Sequence, residues 1–220
     1  MKYGESVFDI LYLLFALAVG VWLLCRRRDG VGRLMGAAAL VLGTGDAFHL
    51  VPRVLGYWLP GDYTFWLGAG KLVTSLTMTV FYVLLYHVNC RQYAPHRLLK
   101  GCTAAVYALA AARFVLCALP QNEWFTNQSS VLWGTLRNLP FAALGVLVAV
   151  LFFRRRRQYA PFARVWLYVT LSFAFYLPVA VGASLAPMLG MLMLPKTVCY
   201  MLLLGAFCRA AGQPGEEERP

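Results

Sequence analysis

The chain has 220 residues, of which 60% are apolar and 13% are charged, and its formal net charge is +11. Soluble domains are typically about 45–50% apolar and about 25% charged, so this composition excludes an ordinary soluble enzyme, a disordered chain and a small disulfide scaffold. It predicts an integral membrane protein. The positive charge lies in short runs beside apolar segments, which indicates topology signals rather than a nucleic-acid partner.

Seven segments are long and apolar enough to form membrane-spanning helices, each of which needs about 20 mainly apolar residues. In chain order they cover residues 7–25, 34–55, 65–88, 98–119, 131–153, 162–186 and 188–208. We therefore expect an all-α integral membrane protein in which residues 1–220 form a single seven-helix domain. Residues 209–220 would form a short polar tail after the last helix.

Lysine and arginine are distributed unevenly among the loops. The loops after the first, third and fifth segments contain them, whereas residues 57–64 and 120–130 contain none. Because basic loops stay on the cytoplasmic side, we expect the N-terminus outside, the C-terminus in the cytoplasm, and a multi-pass protein of the cell membrane. The lipid bilayer is thus its first expected partner, and a homo-oligomer is left open.

An internal repeat is indicated by landmarks that recur in order. Asp46-Ala47-Phe48-His49-Leu50, followed by Pro52, matches Phe173-Ala174-Phe175-Tyr176-Leu177, followed by Pro178, 127 residues later. Lys71 similarly matches Lys196 after 125 residues. This pattern predicts two parallel repeats, at about 7–88 and 131–208, around a linker helix at about 98–119. A competing similarity, Arg-Gln-Tyr-Ala-Pro at 91–95 and 157–161, has an offset of 66.

This 3+1+3 arrangement resembles the SWEET and PQ-loop transporters, which place two three-helix repeats around a linker helix and have the N-terminus outside. The likeness is architectural, and it implies a transporter fold. The Pro-Gln pair of this chain, Pro120-Gln121, lies in a loop after the fourth segment rather than at the position of that family's motif.

Charged and polar residues within the apolar segments are the candidate functional residues, because a charge at the bilayer centre costs about 2.5–3.5 kcal/mol. Asp46, His49 and Arg53 share one face of the second segment. Residues from six segments fall in the same layer of the membrane, so we expect one polar cavity open to the outside. The other residues assigned to it are Lys71, Thr74, Ser75, Arg113, Arg137, Asn138, Tyr176 and Lys196.

The charges of this predicted layer are unequal. Its five cations are opposed by Asp46, which predicts an anionic ligand, either a small solute or a lipid head group. A structural ion pair between Asp46 and Lys196 is the main alternative for those two residues, and the arginines would then extend to the outer interface. Asp46 and His49 have no third ligand in their layer, so no metal and no cofactor are expected.

The leading functional interpretation is a transporter-like or ligand-binding protein for a small anionic solute. Lys71 and Lys196, related by the repeat, would flank the ligand near the middle of the membrane. Asp46 and His49 would form a proton-coupling or gating pair. Prolines would supply the helix breaks that let the two halves move; these are Pro52, Pro178 and Pro195.

Two alternatives use the same residues differently. Gly45-Asp46, with the stretch 65–87, resembles the lysoplasmalogenase-type membrane hydrolases. That resemblance implies hydrolysis of a vinyl ether bond with Asp46 as a catalytic residue, although Phe173 occupies the repeat-related position where a second aspartate would be needed. Seven helices with Lys196 in the seventh resemble the rhodopsins, which implies a sensor or retinal-type protein. The third segment of this chain carries Lys71, where the resemblance would require an acidic counterion.

Overall fold

The computed structural model describes residues 2–27, 29–93, 100–126, 130–182 and 186–213 of the chain. Within these ranges the protein is helical and contains no strand. Its seven long helices are α1 (Lys2–Arg26), α2 (Gly30–Trp58), α3 (Thr64–Tyr93), α4 (Lys100–Ala118), α5 (Val131–Arg155), α6 (Val165–Gly182) and α7 (Met193–Ala211). Short 3₁₀ helices lie at Pro120–Asn122, Trp124–Thr126, Ala160–Phe162 and Pro187–Leu192.

Seven helical segments are long and apolar enough to cross a membrane. Their outer surface is apolar as well, because large side chains such as Leu14 and Val146 are 60% and 63% exposed. Such a surface is stable against lipid, where each helix satisfies its own backbone hydrogen bonds. The all-helical class and the seven candidate spans of a multi-pass membrane protein are therefore confirmed.

The helix bounds differ from the predicted segments mainly at their ends. α2 begins at Gly30 and α3 continues to Tyr93, because polar residues extend a helix beyond its apolar part without adding to the hydropathy signal. α6 begins only at Val165, after a 3₁₀ turn that contains Pro161. The predicted starting residues 98–99 of the fourth segment, residues 183–185 of the sixth and residues 214–220 of the tail lie outside the described residues.

The helices pack as a closed ring. α2 packs against α1 and α3, α6 packs against α5 and α7, and contacts between α1 and α7 and between α3 and α5 close the ring. α4 packs against α3 and α5. The central helix of each predicted repeat thus lies between its two neighbours, and each contains a proline, Pro52 in α2 and Pro178 in α6. The repeat itself stays a prediction.

The interior is rich in aromatic side chains. Tyr82 packs against Phe141 and Phe173, with ring centroids 5.2 Å apart in both pairs. Its hydroxyl lies 3.2 Å from Ser172 Oγ and 3.4 Å from the hydroxyl of Tyr200 on α7. Buried hydroxyl groups in a membrane protein require such partners, so this network fixes α3 against α6 and α7.

The side of the bundle at which α1 and α7 end is fastened by Arg27. Its guanidinium donates to Asp29 Oδ1 at 2.7 Å and to the carbonyl oxygens of Ala210 and Gln213 at 3.3 and 2.9 Å. The Tyr159 hydroxyl also donates to the Ala210 carbonyl, at 3.3 Å. The last carbonyl groups of a helix lack partners within it, so these contacts cap α7 while joining it to two loops.

Candidate functional site

A cavity of about 460 Å³ lies at the amino-terminal side of the bundle, which is the side where α1, α3 and α7 begin. It is lined by residues of α1, α2, α3 and α7 and by the 3₁₀ segment Pro187–Leu192. A volume of this size is typical of small-molecule sites. Its ionisable lining residues are Glu5, Asp9, Asp46, His49, Arg53 and Lys196.

The wall between α1 and α2 is held by polar contacts at two depths. Deeper in the bundle, the buried Tyr12 hydroxyl donates to Asp46 Oδ2 at 2.6 Å. Nearer the surface, Arg53 donates to Glu5, and the Tyr57 hydroxyl donates to the second oxygen of Glu5 at 3.1 Å. The Arg53 guanidinium and the Glu5 carboxylate therefore neutralise each other at the mouth of the cavity.

α2 and α3 approach closely beside Asp46 and His49 because two glycines lack side chains. A Cβ at Gly45 would overlap the Thr77 side chain, and one at Gly70 would overlap the backbone of Phe48. The short distance between the two helices also lets the Thr74 hydroxyl donate to the Gly45 carbonyl oxygen, at 2.9 Å. Thr74 also lines the cavity.

Two lining side chains have buried polar atoms without a hydrogen-bond partner among the described residues. They are Asp9 Oδ2 and His49 Nδ1. Asp9 is 4% exposed, and it interacts electrostatically with Arg53, Glu5 and Asp46. A buried polar atom without a partner is costly, so each of these atoms marks a point where a ligand group or a proton would be stabilised.

Lys196 lies in the first turn of α7 and is 9% exposed. Its Nζ atom is 4.9 Å from the ring centroid of Tyr176 and 5.5 Å from that of Tyr200. The ion pairs in the described part of the chain are Arg27–Asp29 and Arg53–Glu5. Asp46 and Lys196 interact electrostatically without a contact ion pair in that part, so the aromatic faces are the immediate surroundings of the ammonium group.

Glu5 and Asp9 were not among the residues predicted from the sequence, and they change the charge of the cavity. Together with Asp46 they provide three carboxyl groups beside two basic side chains, Arg53 and Lys196. The predicted excess of cations is therefore not found in the cavity lining. A signal for both residues was present, because Glu5 and Asp9 are one helical turn apart and Asp9 falls within the first apolar segment.

Several predicted site residues lie outside the cavity, in a second cluster formed by α3, α4, α5 and α6. Arg113 is 1% exposed and donates to Asn138 Oδ1 at 2.9 Å and to the Arg137 carbonyl at 3.1 Å. The Tyr176 hydroxyl donates to the same Asn138 oxygen at 2.7 Å. Arg113 Nε also donates to the Ser75 carbonyl on α3, at 3.4 Å. These neutral acceptors surround a buried cation, so the cluster joins four helices instead of lining the cavity.

Arg137 extends this second cluster to the loop after α4. Its guanidinium donates to Asn122 Oδ1 at 2.8 Å and lies 4.1 Å from the centroid of the Trp124 ring. The indole of Trp124 donates in turn to the Cys117 carbonyl at 2.8 Å. The loop is thereby fixed against the start of α5, and the Arg137 side chain is engaged in that contact.

The remaining predicted residues lie on α3. Lys71 is exposed and is not part of the cavity lining, although it interacts electrostatically with His49. The Ser75 hydroxyl donates to the Lys71 carbonyl at 2.8 Å, one turn back on the same helix. Of the predicted pair of repeat-related lysines, the structure brings Lys196 to the cavity and places Lys71 outside it.

Phe173, which the repeat relates to Asp46, is a core residue. It is mostly buried, and a Cβ at Gly145 on α5 would overlap its ring. The cavity is therefore lined by the first predicted repeat, α1 to α3, and by the start of α7, and the described residues of α6 do not contribute to the lining. Among the described residues, no group of three or more His, Cys, Asp or Glu side chains is arranged to hold a metal ion.

Comparison of the chain with protein-family models, curated proteins and solved structures finds no match.

Proposed function

We propose that this multi-pass membrane protein binds a small solute with an anionic group in the cavity, as a transporter-like or receptor protein. The observation that carries the proposal is the position of Lys196. Its buried ammonium group lines a cavity of about 460 Å³ and has no contact ion pair among the described residues. A buried cation of this kind is stabilised by an anion.

The start of α7 adds to the attraction for an anion. α7 has no acidic residue in its first turn and no side-chain cap. The positive end of the helix macrodipole therefore lies at the same end of the cavity as Lys196. Lys196 supplies the hydrogen bond to a carboxylate or phosphate oxygen there, because the Met193 N–H already donates to the Gly190 carbonyl and residue 195 is a proline.

Proton coupling is the role we propose for Asp46 and His49. Both line the cavity, and Asp46 is held by Tyr12 while His49 Nδ1 is without a partner in the described residues. A proton bound at either group would change the charge that the solute meets. Pro52 in α2 and Pro178 in α6 would be the points where the two halves bend during transport.

Replacement of Lys196 tests the proposal. The full chain, purified into lipid nanodiscs, is titrated with linear carboxylates from acetate to hexanoate and with inorganic phosphate, and binding is followed by thermal stabilisation. Lys196→Met should weaken binding at least about tenfold, because a charged hydrogen bond contributes about 1.5–3 kcal/mol. Lys196→Arg should retain part of the affinity.

Lys2→Met is the matched control, because Lys2 is an exposed lysine on the same side of the bundle and lies 5.1 Å from the Trp58 ring. It should bind as the unchanged protein does. Equal binding by Lys196→Met and Lys2→Met would remove the proposal.

A second candidate function, hydrolysis of a lipid, is supported by Asp9. The lysoplasmalogenase-like interpretation needs two intramembrane carboxylates, and the cavity contains Asp9 on α1 as well as Asp46 on α2. Two carboxyl groups in one site are suited to general acid–base hydrolysis, in which one accepts a proton from water and the other protonates the leaving oxygen. Release of a cleavage product that depends on Asp46 would distinguish this function from solute binding.

A further inference from the structure

The charges that line the cavity are separated between its walls. Lys196 and the start of α7 form one wall, and Asp9 on α1 lies in another. Arg53, the second cation of the lining, is engaged by Glu5 and lies 3.3 Å from the Tyr57 hydroxyl. A ligand that fills the cavity would therefore meet a basic end and an acidic end.

Asp9 is the acidic group of the lining that can still accept a hydrogen bond. It is 4% exposed, lines the cavity, and its Oδ2 atom has no hydrogen-bond partner among the described residues. The nearby Arg53 is held by Glu5, and the nearby Asp46 accepts its bond from Tyr12. A carboxylate oxygen buried in this way requires a donor, and a cationic donor satisfies it best.

We infer that the solute of this cavity is zwitterionic: its anionic group binds at Lys196 and the start of α7, and its ammonium group donates to Asp9 Oδ2. The inference rests on the proposed function and adds a second subsite to it. The substrate class is a small amino acid or another compact molecule that carries one acidic and one amino group. Asp46 is in electrostatic range of both Asp9 and Lys196.

The count of lining charges supports this class over a simple anion. Once Glu5 and Arg53 neutralise each other, Asp9 and Asp46 face Lys196. A simple anion would share the cavity with two carboxyl groups and offer no donor to Asp9, whereas a zwitterion adds no net charge. The ammonium group also supplies the hydrogen bonds that Asp9 otherwise lacks.

Matched probes test the inference. The full chain in nanodiscs is titrated with linear ω-amino acids of two to six carbons, with the corresponding carboxylates that lack the amino group, and with the corresponding amines that lack the carboxylate. The best ω-amino acid should bind at least about tenfold more tightly than its carboxylate and its amine, as expected for a charge-assisted hydrogen bond.

Variants assign the two subsites. Asp9→Asn should reduce the affinity for the best ω-amino acid to that for its carboxylate, without weakening the binding of the carboxylate. Asp9→Glu should restore part of the selectivity, which separates loss of charge from misfolding. Asp62→Asn, at an exposed carboxylate outside the cavity lining, should leave every affinity unchanged.

Equal binding of the ω-amino acids and the carboxylates, or an undiminished preference in Asp9→Asn, would overturn the ammonium subsite alone. Failure of all three probe series to bind, or binding unaffected by Lys196→Met, would overturn the proposed function together with this inference.

Discussion

At the scale of single residues, Arg113 explains how a charge is kept within the bundle without an acidic partner in the described part of the chain. Its guanidinium donates to carbonyl and amide oxygens and lies 3.8 Å from the centroid of the Phe141 ring. Backbone carbonyls and aromatic faces are common partners of charged residues in membrane helices. The Asn138 side chain accepts a hydrogen bond from Arg113 and donates one to the Gly134 carbonyl, so it links the Arg113 side chain to the α5 backbone.

We expect Arg113→Met to lower the free energy of unfolding by about 1–3 kcal/mol, because several buried acceptors then lose their donor. Asn138→Leu should have a similar effect. The double variant should be less destabilised than the sum of both, by about 0.5–3 kcal/mol, since the residues share one network. Unfolding in mixed detergent and SDS micelles measures these differences.

Arg164→Met, at an exposed arginine, is the control for that series and should leave unfolding unchanged. Binding of the ω-amino acids by folded Arg113→Met should also be unchanged, because Arg113 does not line the cavity. A strong loss of binding with unaltered stability would show that Arg113 contacts the solute after all.

The two clusters also show which part of the site the sequence could predict. The sequence predicts a similar depth in the membrane for Asp46, His49, Arg53 and Lys196, and all four side chains line the cavity. Helix rotation and packing decide which face each residue occupies, and a single sequence does not contain the contacts that fix them. Arg113 and Lys196 therefore fall in one predicted layer, but only Lys196 lines the cavity. Tyr176 lies between them, with its ring 4.9 Å from Lys196 Nζ and its hydroxyl on the Asn138 oxygen that accepts from Arg113. Asp9 was detectable, because it is a charged residue in an apolar segment.

At the scale of elements, the start of α2 depends on Asp29. Its carboxylate accepts a hydrogen bond from the backbone N–H of Gly32 at 3.2 Å and an ion-paired bond from Arg27. The first N–H groups of a helix lack partners within it, so an aspartate at this position stabilises the helix start. The Arg27 side chain holds the pKa of the Asp29 carboxyl below its ordinary value.

Because that pKa is lowered on folding, the Arg27–Asp29 pair contributes stability above the ordinary aspartate pKa, and the contribution is lost as the pH falls through the lowered value. Asp29→Asn keeps a cap acceptor but removes the charge, so its stability should depend less on pH in the acidic range. Asp29→Ala also loses the cap, at about 0.5–2 kcal/mol.

The thermal midpoints of the unchanged protein and the two Asp29 variants, measured across the acidic range up to neutral pH, provide the test. In an Arg27→Gln background, Asp29→Asn should produce little further change in the pH dependence. An undiminished pH dependence in Asp29→Asn alone would contradict the assignment to this pair.

Most helices were predictable, but their ends and irregular segments were not. Seven apolar stretches are sufficient to predict seven helices, since the bilayer requires a minimum length. The seventh predicted span begins at residue 188 and so includes all but the first residue of the 3₁₀ segment Pro187–Leu192, because the segment is apolar and hydropathy does not distinguish the two helix types. That segment lines the cavity through Gly190 and Met191. The 3₁₀ helix that hydropathy does not predict therefore lies at the candidate site.

At the scale of the whole molecule, α4 differs from the other helices. The remaining six close the ring, whereas α4 packs against α3 and α5. A linker between two three-helix repeats would occupy such a position. The ring places the cavity at the side where α1 begins, so the proposed external opening depends on the orientation of the chain.

We expect the amino-terminal side to face outward and the arginine-rich side to face the cytoplasm, since the basic loops determine orientation. A green fluorescent protein fused after Pro220 should fluoresce in a bacterial host, and alkaline phosphatase at the same position should be inactive. The reverse pattern would place the cavity on the cytoplasmic side.

A reporter inserted after Gly61 is the control for that experiment. Gly61 lies in the loop between α2 and α3, on the side of the bundle opposite to the end of α7. Alkaline phosphatase should be active there. Equal reporter signals at both positions would contradict a single orientation.

The cavity joins the first of the seven helices to the last, and this has a consequence for biosynthesis. Asp9 is synthesised long before Lys196, so the two walls meet only after α7 has left the ribosome and inserted beside α1. A nascent chain halted after α6 contains the acidic wall but would lack the proposed binding site. Solute occupancy would thus report completed synthesis, and a solute present during insertion would favour the finished chain over its truncated forms.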